Sequence, residues 1–410
     1  MGAVTLPGTV DPVALLAELG DRPYPALAAH GGATVVAADP EEVVVGAGVW
    51  DALASGPTRA GPWPMAGGWI GLMAYELAGT VERLPSPDSD PGGPPVASLA
   101  RYPTVATIDA DGRCTVASTH GPAAAAALAR VAARARRPAL VTPRRARVTT
   151  SLPEDDYRAA VAAARELIAA GDCYQVNLAQ RLVTPWRSGP LQLALGLWRA
   201  SGPTSHRAFL GLPGGAVVSA SPERLVSAGA GSAASEPIKG TAAPQEARQL
   251  AASGKDRAEH VMIVDLVRND LGRVARPGGV RVERLMGALA TPYAAHLVSR
   301  VSADLRPGAT AADVLRALFP GGSVTGCPKV RAMEIIRELE PAPRGPAFGS
   351  VVAVGADGSL EASVAIRTAW VAAGEARYWC GGAVVWDSDP EAERAEAWSK
   401  ATPFLAAIGT

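Results

Sequence analysis

Past residue 150, helical and strand-like stretches follow one another without the strand–helix–strand rhythm that builds parallel sheets. This constrains the fold more than any other feature of the chain. Glu154–Ala170 has helical spacing of its apolar residues and stops at Gly171, a C-cap position. CYQVNLAQRLV then alternates as a strand should, and Ala216–Ala220 and Arg224–Ala228 read as strands flanking the turn at Ser221–Pro222. Lys255–Val274 reads as a helix apolar on most sides, hence buried, and Ala311–Phe319, Pro328–Glu340 and Pro390–Ile408 as further helices. Ser350–Val354, Ala362–Trp370 and Ala376–Trp386 read as strands. Such a mixture specifies an α+β fold with largely antiparallel sheets.

The first part of the chain carries short apolar runs rich in Val, Gly and Pro, such as TVVAA, EVVVGAGVW and GGWIGLMAYELAG. TVATIDADGRCTVAS pairs two strand-like runs across Asp109–Gly112, a hairpin signal. Gly121–Arg147 is Ala/Arg-rich and reads as one helix followed by a linker, which places a boundary near Val148. The expected division is an N-terminal region, 1–148, and a catalytic domain, 152–408. A formal net charge of zero argues against a nucleic-acid partner or an anionic membrane held by a basic face. No uncharged apolar run approaches a membrane span, and the N-terminus lacks a secretory pattern. Cys114, Cys173, Cys327 and Cys380 form no CxxC pair and read as buried, reduced thiols, so the expected location is cytoplasmic.

Lysine is scarce: Lys239, Lys255, Lys329 and Lys400 are four of 39 basic residues. A lysine retained among so many arginines points to chemistry that a guanidinium cannot perform, since an ammonium can lose its proton and attack. Asp256 and Glu259 stand three apart on the presumed buried helix. Glu393 and Glu396 stand three apart on the last, with Lys400 one turn further on the same face. Asp389 and Pro390 give that helix an N-cap and N1. Two acidic pairs converging on one hard cation would suit Mg²⁺; separately, each reads as a solvated face. PGGSVTGCPKVRAMEII is a glycine-rich loop entering a helix with Pro328 at N1, a place for a carboxylate or phosphate, without P-loop spacing. Arg367, read as lying on a strand beside the amides of CGGAVV, is either a carboxylate clamp or half of an internal salt bridge. Glu223 in SPERL is either a general acid with a raised pKa or a surface turn residue. No nucleophile elbow, HExxH or glutaminase loop is present.

Taken in order, CYQVNLAQR, SASPERL, PIKGT, DRAEHVMIVDLVRNDLGRV, FPGGSVTGCPKVRAMEIIRELEP, IRT and GGAVVWDSDPEAERAE resemble the chorismate-utilising enzymes, from about Leu152 to Ile408. GGWIGLMAYELAG resembles that family's N-terminal half. The resemblance implies two stacked, largely antiparallel sheets flanked by helices around a central chorismate cleft. It also implies Mg²⁺ held by Glu259 and Glu396, with Asp256 and Glu393 assisting through water. Arg367, Gly381, Gly382, Gly240 and Thr241 would hold substrate carboxylates and the ring, with Lys400 nearby and His296 beside the reacting carbons. Glu223 matches the acid that assists departure of the 4-hydroxyl. Gln175 stands where water-adding relatives carry an activating lysine.

Within the family the chain is most similar to the branch that replaces the 4-hydroxyl of chorismate with an amino group, on the way to p-aminobenzoate and folate. Anthranilate-forming relatives resemble PIAGT where this chain has Lys239 in PIKGT, a residue able to attack C2 and direct ammonia to C4. The implied partners are chorismate, ammonia and a separate glutaminase subunit. The rival expectations are the anthranilate-forming reaction and a non-catalytic chorismate-binding regulator. Phe348 stands where relatives often carry Tyr, Ala383 replaces a third glycine, and the feedback signature for tryptophan is not visible.

Overall fold

The computed structural model describes residues 1–56, 61–85, 90–142, 146–242, 254–290 and 295–410. Among the described residues two antiparallel sheets carry the fold, one of twelve strands and one of ten. Strands from both sides of residue 148 run in each. The larger sheet extends from Gly2–Thr9 and Ala26–His30 through His206–Leu212 and Gly215–Ser221 to Glu375–Val384 and Gln175–Pro185. The smaller one joins Gly68–Met73 to Ser350–Val354, Leu360–Val364, Arg224–Gly229 and, at its far edge, Ala295–Leu305 and Ile238–Ala242.

The period-two pattern of each strand decides what it buries. Val217, Leu210 and Trp370 of the larger sheet meet Leu72, Val226 and Val352 of the smaller in the central core. On the outer face of the larger sheet, Val36, Val218 and Val371 are covered by Leu15, Leu197 and Phe404 from three helices. Along Gln175–Pro185, Val176 and Leu178 face the helices Glu154–Ala169, Lys329–Leu339 and Pro390–Ala407. Gln175, Asn177 and Ala179, in the alternate positions, turn towards the space between the sheets.

Three expectations change. Ala362–Trp370 is two strands, Leu360–Val364 in the smaller sheet and Thr368–Ala372 in the larger, because the chain crosses between sheets at Ile366–Arg367. Arg367 makes the turn with φ 51, left-handed backbone that costs an arginine energy and marks a position under constraint. The Gly254–Gly272 helix is buried along one face through Ile263, Val267 and Leu271, while Val261 on the other is 48% exposed. Pro328 is the N-cap, and the helix begins at Lys329. The cysteines are free, Cys327 being half-buried and the rest buried.

Arg344 ties the layers together. Its wholly buried guanidinium lies between the rings of Tyr75 and Phe348, 4.5 and 4.6 Å from their centres. It donates to Glu340, to the Val324 carbonyl and to the Asn177 carbonyl, and Glu340 in turn accepts the Ala179 amide at 2.8 Å. Among the described residues no helix is long and apolar enough to cross a membrane.

Candidate active site

Lys239 lies on the edge strand Ile238–Ala242, which pairs with Ala295–Leu305 so that Lys239 opposes Leu297 and Thr241 opposes His296. The register slips by one residue at Gly240, whose φ of 69 a side chain would resist. Lys239 Nζ donates to Gln175 Oε1 at 3.5 Å and stands 3.8 Å from Glu259 Oε2. Burial pulls the Lys239 pKa below that of an ordinary lysine, against the carboxylate of Glu259, which pulls it back up. The ammonium therefore gives up its proton more readily than a surface lysine does. Gln175 is fully buried, and its Nε2 has no partner among the described residues.

Glu223, which the sequence left open as a surface turn residue, is buried beside this lysine. Its Oε1 accepts from the Ile238 amide at 3.5 Å, and Ser323 of the glycine-rich loop also bonds it. Burial outweighs both bonds and pushes its pKa up to about 7, so it holds a proton near neutrality.

His296 donates through Nδ1 to the Gly240 carbonyl at 3.3 Å, which makes Nε2 its basic nitrogen. Burial, and then the charge of Arg367, depress its pKa. Arg367 makes no salt bridge among the described residues, so the internal ion pair, one of the two readings open from the sequence, finds no acidic partner there. Its own pKa is lowered by burial. Phe348 is spent on the Arg344 guanidinium from a backbone φ of 63.

On the last helix Lys400 Nζ bonds Glu396 at 2.8 Å and the Gly381 carbonyl at 3.0 Å. Glu393 is buried and takes the Ser388 hydroxyl at 2.6 Å. Gly382 makes room for these groups. A Cβ there would lie 3.0 Å from Glu393 Oε2, 3.8 Å from Lys400 Nζ and 3.9 Å from Glu396 Oε1. A Cβ at Gly381 would instead strike the Leu178 carbonyl of the neighbouring strand at 2.1 Å. Lys239 feels the charges of Glu259, Lys400, Glu223 and Glu396 together, so the two helices and the edge strand converge at one place. The side chains of Thr241 and Asp256 lie outside the described residues. Among the described residues no three acidic, histidine or cysteine side chains cluster as metal ligands. Glu259 and Glu396 both offer carboxylate oxygens to this place, the donor type Mg²⁺ takes when water and a bound anion supply the rest.

One neighbour of the site carried no signal of its own, and one of the scarce lysines proves to be structural. His260, next to Glu259, is fully buried with its pKa pushed down to about 4 by burial, and Ser299 bonds it. Lys329, at the start of its helix, is committed to a buried pair with Asp270 at 2.7 Å.

Residues 16–406 match the chorismate binding enzyme family. The chain belongs to that family. It is 40% identical over 375 residues to anthranilate synthase component 1 of Streptomyces coelicolor, covering 84% of this chain and 73% of that protein. It is 41% identical over 354 residues to aminodeoxychorismate synthase component 1 of Klebsiella aerogenes, covering 83% and 77%. Among solved structures, anthranilate synthase component I from Streptococcus pneumoniae superposes with a TM-score of 0.82 at 27% identity, covering 92% of this chain and 93% of that one. The menaquinone-specific isochorismate synthase of Escherichia coli shares the fold, with a TM-score of 0.79 at 19% identity over 99% of this chain and 94% of that one. The α+β architecture of stacked antiparallel sheets is therefore the family's, and relatives at similar identity divide between two reactions.

Proposed function

We propose that this chain is the component of an aminodeoxychorismate synthase that aminates chorismate at C4, with ammonia drawn from a separate glutaminase chain. The observation that carries the reading is Lys239, a buried amine held between Gln175 and Glu259 beside a carboxyl that keeps its proton near neutrality. Glu223 gives that proton to the 4-hydroxyl, which leaves as water. Lys239 Nζ bonds to C2 as the two ring double bonds shift and the C4–O bond breaks. Ammonia then bonds to C4, the double bonds shift back, and the C2–Nζ bond breaks to return the lysine. Gln175 cannot take a proton, which disfavours addition of water at C2. Arg367 is offered to a substrate carboxylate. Glu259 and Glu396 would hold Mg²⁺, with Glu393 and Asp256 acting through water. The bound ion would neutralise a carboxylate of the substrate.

The deciding test is Lys239→Ala assayed with chorismate, Mg²⁺ and ammonium chloride. Formation of 4-amino-4-deoxychorismate is expected to fall at least about 100-fold, as for loss of a covalent nucleophile. Survival at full rate removes the covalent role. The 40% identity to an anthranilate synthase component 1 favours a second reading, the anthranilate-forming reaction. Fluorescent anthranilate together with pyruvate from the unmodified protein would establish it, and a protein that consumed no chorismate would be a regulator.

A further inference from the structure

We propose that Ser299 and His260 are positioning residues that hold Lys239 against Glu259; the role assigned to Lys239 above is the reading on which this rests. Ser299 is fully buried in the middle of the Ala295–Leu305 strand and makes three bonds to three elements. Its N–H donates to the Pro237 carbonyl at 3.2 Å, two residues before Lys239. Its Oγ accepts the Met286 N–H at 2.9 Å, at a bulge where Met286 sits at φ 53. The same Oγ lies 2.6 Å from Nε2 of His260, the residue after Glu259.

A backbone N–H can only donate, so Ser299 Oγ spends a lone pair on Met286. Its hydroxyl proton has no other acceptor among the described bonds and goes to His260 Nε2. With its ring fully buried and Nε2 engaged, His260 is no proton shuttle to a substrate. What the pair does is mechanical. Lys239 and Glu259 stand on different elements, 3.8 Å apart, beyond hydrogen-bond reach, so their spacing follows from how the two backbones sit. His260–Ser299 is a fully buried side-chain hydrogen bond that fastens the Gly254–Gly272 helix to these edge strands. Ser299 also anchors the lysine strand through Pro237. Removing its hydroxyl releases the helix and the bulge from the strand that carries the lysine strand, while the backbone bond to Pro237 stays.

The test compares Ser299→Ala, Ser299→Thr and His260→Gln with Val301→Ala, a fully buried position on the same strand that takes no part in the site. Ser299→Ala is expected to lower kcat for ammonium-dependent amination about tenfold or more, the scale of a small misplacement, with KM for chorismate within about twofold. Ser299→Thr and His260→Gln keep a hydroxyl and an acceptor and should recover most of kcat. Val301→Ala should lower Tm without lowering kcat. A second readout does not use activity: the rate at which a water-soluble N-hydroxysuccinimide acetate labels Lys239, measured by peptide mass spectrometry with Lys329 as internal reference. Ser299→Ala should change the Lys239 rate several-fold and leave Lys329 unchanged, whereas Val301→Ala should change neither. Equal kcat losses in Ser299→Ala and Val301→Ala, or unchanged labelling of Lys239, would overturn the proposal. If Lys239→Ala keeps full activity, the covalent reading falls, and labelling alone still decides whether Ser299 and His260 position the lysine.

Discussion

At the residue scale the proposed chemistry turns on a proton and an amine held in the same buried space. Glu223, pushed up to about 7 by burial, is protonated below that value and loses its proton as pH rises through it. A general acid works only while it holds the proton, so the ratio of unmodified kcat/KM to that of Glu223→Gln should fall as pH climbs through about 7. Below that pH the substitution should cost about 100-fold to 10,000-fold, the range for a lost general acid. A ratio flat from pH 5 to 9 would show that the Glu223 proton is not used. The motif SPERL named the residue but read equally well as a surface turn, because burial of a turn is set by what packs over it. Here that is Ser323 and the strand of Ile238, distant in sequence.

At the scale of elements, neighbouring glycines on the Glu375–Val384 strand should respond differently. Gly382→Ala places a methyl 3.0 Å from Glu393 Oε2, the end of a side chain that can swing aside. The fold should survive, and the Mg²⁺ concentration giving half-maximal activity should rise several-fold as the carboxylates beside it are displaced. Gly381→Ala drives a methyl to 2.1 Å from the Leu178 carbonyl, which belongs to the adjoining strand and cannot yield without opening the ladder. Urea denaturation should show a loss of about 3 kcal/mol or more, at the upper end for overpacking. The amide-rich run CGGAVV was legible in sequence, but which glycine guards the carboxylates and which guards the sheet was not. The same limit applies to Ala362–Trp370. Its apolar run reads as one strand, and the crossing between sheets at Arg367 has no local mark, since no glycine or proline announces it.

At the scale of the whole molecule, Arg344 and Glu340 connect the Tyr75–Glu76 segment to the strand that carries Gln175. Arg344 accounts for bonds to Glu340, Val324 and Asn177, while Glu76 Oε1 accepts the Arg344 amide at 2.8 Å. Arg344→Met leaves a buried carboxylate without its counter-ion and should cost about 3–5 kcal/mol in urea denaturation. Pairing it with Glu340→Gln should recover a substantial part, because the uncompensated charge is then gone. A double variant no more stable than Arg344→Met would place the cost in lost packing against Tyr75 and Phe348 instead.

The sequence by itself determined the class of fold, the family motifs and most of the side chains that meet at the site. Those depend on local periodicity and on residue types whose chemistry is not interchangeable, as with Lys239 among arginines. Only the tertiary structure decided that Glu223 is buried and Arg367 free of an acidic partner among the described residues. It also turned a helix that read as apolar on most sides, hence buried, into one with Val261 on its exposed face, and bonded Ser299 to the helix, the bulge and the lead into the lysine strand. Burial and pairing are properties of surfaces brought together from far apart in the chain, and no stretch of residues carries them alone.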